Sequence, residues 1–243
     1  MSGRKRADQL LVERGFFESR ARAQAAIAAG LVTAGGVPVR KASEGVPVDV
    51  EIVAQAPHPY VSRGGLKLAA ALEEFGFNPA GRICLDIGAS TGGFSDLLLR
   101  KGARHVVAVD VGRDQLHASL RDDDRISNFE ARDIRGIEPG ELPGNPNLAA
   151  IDVSFISLKL VLPAAARLLA KHCELAALIK PQFEAGRGAL KKGIVRDEAV
   201  QAQVCSEIRG VVEALGFAVQ GLVPSPIEGG DGNREFLIGA RRS

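Results

Sequence analysis

The stretch Asp86-Ile87-Gly88-Ala89-Ser90-Thr91-Gly92-Gly93-Phe94 decides the fold. It follows the apolar run Ile83-Cys84-Leu85 and precedes an apolar, helix-like segment from Ser95 to Arg100. A buried strand running into a glycine-rich turn and then a helix is how an open α/β sheet builds a ligand site at the carboxyl end of a strand. Glycine lets the backbone turn sharply and approach a ligand, and the N–H groups of a helix start favour an anion. A ligand bearing a carboxylate or phosphate is therefore expected here. The spacing is not the dinucleotide pattern G-x-G-x-x-G, because Ser90 stands where the second glycine would fall. It is not a P-loop either, because no Gly-Lys-Ser/Thr follows.

Downstream of Arg82, predicted strands and helices alternate. Strands are expected at Ile83 to Ile87, Val106 to Asp110, Ile126 to Glu130, Leu148 to Asp152, Leu175 to Lys180, Ala218 to Val223 and Phe236 to Ala240. A long helix is expected over Asp197 to Leu215. This rhythm predicts an α/β fold with a doubly wound, mainly parallel, seven-stranded Rossmann-like sheet. The form Asp86-Ile-Gly88-Ala89-Ser90-x-Gly92-Gly93-Phe94 resembles the first motif of S-adenosylmethionine-dependent methyltransferases, which places the methionine carboxylate of that cofactor by the turn. Asp110 lies about twenty residues beyond the glycines, the spacing at which an acid accepts from ribose hydroxyls. Asp133, at the next strand end, is placed for the adenine amino group.

The first part of the chain has a different character. Met1 to Ser43 holds eight Lys or Arg against three acids, which is most of the positive excess of a chain whose formal net charge is only +2. A nucleic-acid role must therefore come from this local patch. Ala7 to Arg14 reads as a helix stopped at Gly15. Ser19 N-caps a second helix that runs to Ala29 and stops at Gly30. Leu31-Val32-Thr33, the Gly35-Gly36 turn and Val37-Pro38-Val39 read as a hairpin, and Val48 to Ala54 as a last strand. Arg20 and Arg22 begin the second helix, on the side where Arg4, Lys5 and Arg6 can join them. The residues Arg6-x-Asp8-x-Leu10-Leu11, Ser19-Arg20-x-x-Ala23, Ile27-x-x-Gly30-x-Val32 and Gly36 resemble the S4, or alpha-L, RNA-binding module. Such an α+β module reads RNA shape and phosphate through its basic helical face. The prolines of Ala56-Pro57-His58-Pro59-Tyr60 mark a stiff linker. The expected organisation is a small RNA-binding domain over 1–55, a linker over 56–63 and a catalytic domain over 64–243.

Composition excludes several classes. The apolar content of 46% suffices for a full core, and Cys84, Cys173 and Cys205 are too scattered for a disulfide framework or a zinc site. No apolar h-region follows Met1 to Asp8, and no stretch approaches the length of a membrane span. A reduced, cytoplasmic setting is expected, with no metal, no membrane association and no obligate protein partner.

Four polar residues fall where strand or helix ends face the cofactor crevice: Lys67, Asp152, Lys180 and Glu235. Lys67 sits close to the start of a predicted helix, where the dipole disfavours a cation and another reason for it is needed. The segments Ser62-Arg63-x-x-x-Lys67-Leu68, Ala150-Ile151-Asp152, Leu178-Ile179-Lys180-Pro181 and Arg234-Glu235-Phe236 resemble, in order, the Lys-Asp-Lys-Glu tetrad of the FtsJ-like ribose 2'-O-methyltransferases. With the basic module in front, nearly the whole chain resembles the TlyA family, rRNA cytidine 2'-O-methyltransferases often labelled hemolysins. The resemblance implies S-adenosylmethionine as cofactor and ribosomal RNA, within a subunit, as partner. That family has a shorter form acting on the large subunit and a longer one acting on both, and this chain leans to the shorter.

The chemistry explains the tetrad. A ribose hydroxyl is a very weak acid and must lose its proton as it attacks the methyl in line. Lys180 can take that proton if burial and the neighbouring Lys67 cation lower its pKa. Asp152 then orients Lys180, and Glu235 holds Lys67 or the sugar. Arg63 and the basic loop residues Arg187, Lys191 and Lys192 are further candidates for RNA phosphate contact. A cysteine nucleophile for 5-methylcytosine chemistry is lacking after Asp152 and Lys180, and Asp152-Val153-Ser154-Phe155 lacks the two prolines of exocyclic-amine methylases. Two other function classes compete: a non-catalytic RNA-binding assembly factor, opposed by the intact tetrad, and a hemolysin, suggested by the family label alone.

Overall fold

The structure is a computed structural model that describes residues 3–190, 192–229 and 232–243. The chain divides into two compact units, Met1–Pro59 and Tyr60–Ser243.

In the first unit, strand β1 (Arg4–Arg6) leads into helix α1 (Ala7–Glu13), and α2 (Arg20–Ala28) follows. The Ser19 hydroxyl caps α2 by accepting from Arg22 N–H, as the sequence predicts. Strands β2 (Val32–Ala34), β3 (Val37–Pro38), β4 (Gly45–Pro47) and β5 (Ile52–Ala54) complete the unit. β2 pairs antiparallel with both β3 and β5, while β1 pairs antiparallel with β4. One expectation needs correction. The run from Val48 to Ala54 is a strand only over β5, because Asp49 lies in a turn. Arg4 to Arg6 are an edge strand, since pairing with β4 satisfies backbone groups while all three side chains stay in water. The core is Leu10, Leu11, Ala23, Ala26, Ile27 and Val32 with neighbours from the strands.

One buried charge organises the basic face. Asp8 is 0% exposed and accepts from Arg6, Arg20 and Gln24. The Arg6 guanidinium, with Arg20 and Gln24 behind it, holds this carboxyl well below its usual range despite the burial. The rest of the predicted basic cluster is dispersed: Arg4 donates to the Gly45 carbonyl, Lys5 pairs with Glu13 at 2.6 Å, and Arg22 faces Glu18.

The second unit opens with α3 (Gly64–Glu74) and continues β6 (Ile83–Ile87), α4 (Gly93–Arg100), β7 (His105–Asp110), α5 (Ala118–Arg121) and β8 (Ile126–Glu130). There follow β9 (Leu148–Ile151), α6 (Leu158–Leu168), β10 (Cys173–Ile179), α7 (Pro181–Glu184), α8 (Glu198–Ala214), β11 (Ala218–Pro224) and β12 (Phe236–Arg242). The strands form one seven-stranded sheet in the order β11-β12-β10-β9-β6-β7-β8. Pairing is parallel from β10 through β8, and β12 runs antiparallel to β10 and β11. This is a mostly parallel Rossmann-like sheet. Every residue of β6 and β9 is buried, as expected of strands covered on both faces. One core packs α6 and α8 against one face, and the other packs α3 and α4 against the opposite face.

The strand order reverses between β6 and β9, which makes a crevice at their carboxyl ends. Gly88 follows β6 there, and Asp152 follows β9. The register of the β10–β12 pair, Ile179 opposite Phe236, carries Lys180 and Glu235 to the same end of the sheet.

Candidate active site

The turn after β6 is built so tightly that side chains are excluded. Gly88 has φ +84°, and a Cβ there would lie 2.2 Å from the Asp152 carbonyl oxygen. A Cβ on Gly93 would lie 2.0 Å from Ser62 Oγ. Gly92 also has positive φ, at +89°, and caps α4. The N–H groups of Gly88 and Ala89 both donate to the Val109 carbonyl, at 2.8 and 3.2 Å, and Ser90 N–H donates to Asp110 Oδ2 at 2.8 Å. The anion-facing part of the turn is therefore not Gly88 to Ser90. Gly88, Ala89 and Ser90 line the smaller of two clefts together with Thr91, Gly93 and Phe94, and it is these last three, at the start of α4, whose N–H groups are placed for an anion.

Two clefts meet at Gly88, Ser90 and Asp152, which line both. The larger, about 420 Å³, has apolar walls from Val111, Ile134, Phe155 and Val161 and polar groups from Asp110, Asp133 and Gln115. The smaller, about 250 Å³, is bounded by Ser62, Arg63, Lys67, Thr91, Phe94 and Asp152. An apolar slot with a few convergent acceptors suits a nucleoside. Asp110 accepts from Ser90 and Gly112 N–H groups, at 2.8 and 2.6 Å, which leaves about two of its four lone-pair sites for hydroxyls. Asp133 caps a short 3-10 turn and pairs with Arg135 at 2.6 Å, and that arginine holds its carboxyl below the usual range. The apolar walls and Asp110 fit the adenosine part of S-adenosylmethionine, while both Asp133 oxygens are taken up by Arg135 N–H groups.

Asp86 departs from the sequence expectation of a cofactor contact. It is 0% exposed and lines neither cleft. Ser95 Oγ donates to its Oδ2 at 2.7 Å, while Oδ1 has no hydrogen-bond partner. Burial pushes its carboxyl up to about 7, with the Asp152 and Asp110 charges adding to the rise and the Ser95 bond opposing it. It sits beneath the turn, tied to α4 through Ser95.

The four tetrad candidates form two ion pairs. Lys67 Nζ lies 2.5 Å from Glu235 Oε2, and both side chains are nearly enclosed, at 11% and 3% exposure. That carboxylate accounts for a lysine in the first turns of α3, against the helix dipole. Lys180 Nζ lies 2.6 Å from Asp152 Oδ1, a contact short enough for an ion pair but not aligned as a hydrogen bond. Its aligned hydrogen bond goes to Ser154 Oγ, at 2.9 Å.

Several site residues carry no sequence signal of their own. Phe155 is 91% exposed at the rim of the larger cleft, with φ +64° and its ring 5.1 Å from that of Phe183. A left-handed phenylalanine costs about 1–3 kcal/mol and persists only where its surroundings impose it. Hydropathy marks such a ring as core. Gln115 accepts from Ser90 Oγ at 3.2 Å, and Glu130 accepts from the N–H groups of Asp114, Gln115 and Leu116 at 2.9, 2.9 and 3.0 Å, fixing the loop between them. Among the other RNA candidates, Arg63 is exposed beside the smaller cleft and Lys192 is exposed. Lys191 and the side chain of Arg187 lie outside the described residues. Among the described residues, no helix is long and apolar enough to cross a membrane.

Comparison with known proteins agrees with this architecture. The FtsJ-like methyltransferase profile matches residues 60–242, and the S4 domain profile matches residues 5–52. The 16S/23S rRNA (cytidine-2'-O)-methyltransferase TlyA of Mycobacterium tuberculosis is 41% identical over 244 residues, 99% of this chain and 91% of that protein. YqxC of Bacillus subtilis, described as a candidate rRNA methyltransferase, is 47% identical over 240 residues, 98% of this chain and 85% of that protein. A solved structure of a Streptococcus thermophilus protein assigned as a hemolysin superposes with a TM-score of 0.78 at 43% identity, covering 100% of this chain and 90% of that one. An S4 module ahead of a seven-stranded methyltransferase sheet, shared over nearly full length with such relatives, places this chain in the TlyA group of the FtsJ-like methyltransferase family.

Proposed function

We propose that this protein transfers a methyl group from S-adenosylmethionine to a ribose 2'-hydroxyl of ribosomal RNA, at cytidine, with a ribosomal subunit as substrate in the cytoplasm. The observation that carries the reading is the pair of lysine–carboxylate contacts at the carboxyl ends of β9 and β10 and at the start of α3, beside the Gly88 turn. Residues that merely solvate a surface would not be enclosed in matched opposite-charge pairs around a crevice.

When bound, the cofactor supplies a sulfonium methyl already activated for in-line displacement. Lys180, once it has shed the proton it carries in its ion pair with Asp152, accepts the proton of the 2'-hydroxyl as the oxygen attacks, and becomes the ammonium again. Asp152 then stabilises that ammonium, and Ser154 fixes its direction. Lys67, held by Glu235, faces the smaller cleft and positions the sugar or its phosphate. Asp110 receives the ribose hydroxyls of the cofactor, and Asp133 receives its adenine amine in exchange for one of the Arg135 bonds. The exposed Phe155 ring offers a flat face for the target base. Arg6 and Arg20, gathered on Asp8, supply RNA phosphate contacts.

The test is methyl transfer to ribosomal subunits by Lys180→Ala. The variant should bind cofactor and subunit as the wild type does and transfer at least about a hundredfold more slowly, as for loss of a general base. Full activity would remove Lys180 from that role. A protein that binds subunits but not the cofactor in calorimetry would instead support the assembly-factor reading.

A further inference from the structure

The loop after β9 and the segment after β10 are fastened together at three places. Lys180 reaches Asp152 and Ser154. Phe155 lies against Phe183. Glu184 grips the start of α6: Ser157 Oγ donates to its Oε2 at 2.5 Å, and Leu158 N–H donates to its Oε1 at 2.7 Å. The first two fastenings involve groups already placed at the reacting centre. The third does not, since Glu184 lines neither cleft.

Ser157 is also the N-cap of the eleven-residue helix α6, accepting from Lys159 N–H at 3.1 Å. A carboxylate bound to that cap and to the first helical N–H sits where the helix dipole favours negative charge. The contact therefore anchors the far end of the Asp152–Ser157 loop to a rigid element. Within that loop Phe155 holds a left-handed conformation that an unanchored loop would relax. Release of the anchor would let Ser154 and Phe155 shift away from Lys180.

We propose that Glu184 is a positioning residue for methyl transfer. Its carboxylate clamps the loop carrying Asp152, Ser154 and Phe155 onto the segment that begins at Lys180, and so sets where the Lys180 amine points. This inference rests on the function proposed above. It separates Glu184 from the cofactor-binding groups and makes Ser157 its partner.

The experiment compares wild type, Glu184→Gln, Ser157→Ala and the double variant, using labelled S-adenosylmethionine and large ribosomal subunits from cells lacking the gene. Glu184→Gln keeps the volume and removes the charge. It should lower kcat about tenfold, in line with small displacements of a reacting group, and leave cofactor affinity within about twofold. Ser157→Ala should lower kcat in the same direction, and the loss in the double variant should fall short of the product of the two single losses, because the Ser157 hydroxyl and the Glu184 carboxylate share one contact. Hydrogen exchange at the Leu158 amide should quicken in Glu184→Gln. Unchanged kcat in Glu184→Gln, an equal loss in cofactor affinity, or losses that multiply in full in the double variant would overturn the proposal while leaving the function standing. A wild type that transfers no methyl would overturn both.

Discussion

Glu235→Gln is the perturbation that probes most deeply how this site is assembled. Glu235 and Lys67 are among the few buried charged residues in the described part of the chain, and their contact is 2.5 Å. Removing one member of such a pair leaves the other charge in a low-dielectric site, which typically costs about 3–5 kcal/mol. Glutamine keeps the volume and one acceptor oxygen, so the lower end, about 3 kcal/mol, is expected. For a domain of this size that corresponds to roughly 6–12 °C in melting temperature. Lys67→Met should cost a comparable amount by stranding Glu235. The double variant Lys67→Met/Glu235→Gln has no stranded charge and should recover about 2 kcal/mol relative to the sum of the single losses. Urea unfolding of the four proteins measures this. Methyl transfer measured in parallel should stay low in the double variant, because restored stability does not restore the lysine. A Glu235→Gln protein as stable as wild type, or single losses that simply add, would refute the claim that this pair is a mutually dependent buried unit.

Two other outcomes follow from the turn. Asp86 titrates near 7 in the folded protein but near 3.9 unfolded, so between these values the folded chain keeps a proton that the unfolded chain has released. Stability should therefore fall as pH rises from about 4 to about 7, with the penalty present in full above that. Asp86→Asn should remove this slope and gain a few kcal/mol over wild type at about pH 8, in unfolding curves taken across pH; a gain independent of pH would contradict the assignment. Gly88→Ala should weaken cofactor binding more than about tenfold in calorimetry, because its Cβ would collide with the Asp152 carbonyl at a φ of +84°. Wild-type affinity there would mean that the β6 turn does not shape the cofactor cleft.

The sheet was legible because its strands are buried on both faces and read as short apolar runs ended by acids or glycines. β6 through Ile87 and β9 through Ile151 show this most clearly. The N-terminal strand β1 was not legible. Arg4-Lys5-Arg6 has the pattern of a solvated arm, and only its partner Gly45–Pro47, forty residues away and itself disguised by glycine and proline, makes it a strand. The tetrad positions were readable as strand-end and helix-start charges, but their division into Lys67–Glu235 and Lys180–Asp152 depends on strand order. Antiparallel pairing brings Phe236 opposite Ile179, and sequence spacing says nothing of that. Asp86 was misread for a related reason. An acid at the end of an apolar strand looks like a ligand contact, whereas here Ser95 on α4 draws it inward. Phe155 escaped because exposure and a positive φ leave no trace in hydropathy.

The acceptor atom separates ribose methylation from base methylation. Purified protein, labelled S-adenosylmethionine and unmethylated ribosomal subunits, followed by alkaline hydrolysis of the extracted RNA, test it directly. Alkali cleaves RNA through attack of the 2'-hydroxyl on the adjacent phosphate, so a methyl on that oxygen blocks cleavage. Label should appear in an alkali-resistant dinucleotide whose first residue is cytidine. Label released in mononucleotides, on a base, would contradict ribose methylation.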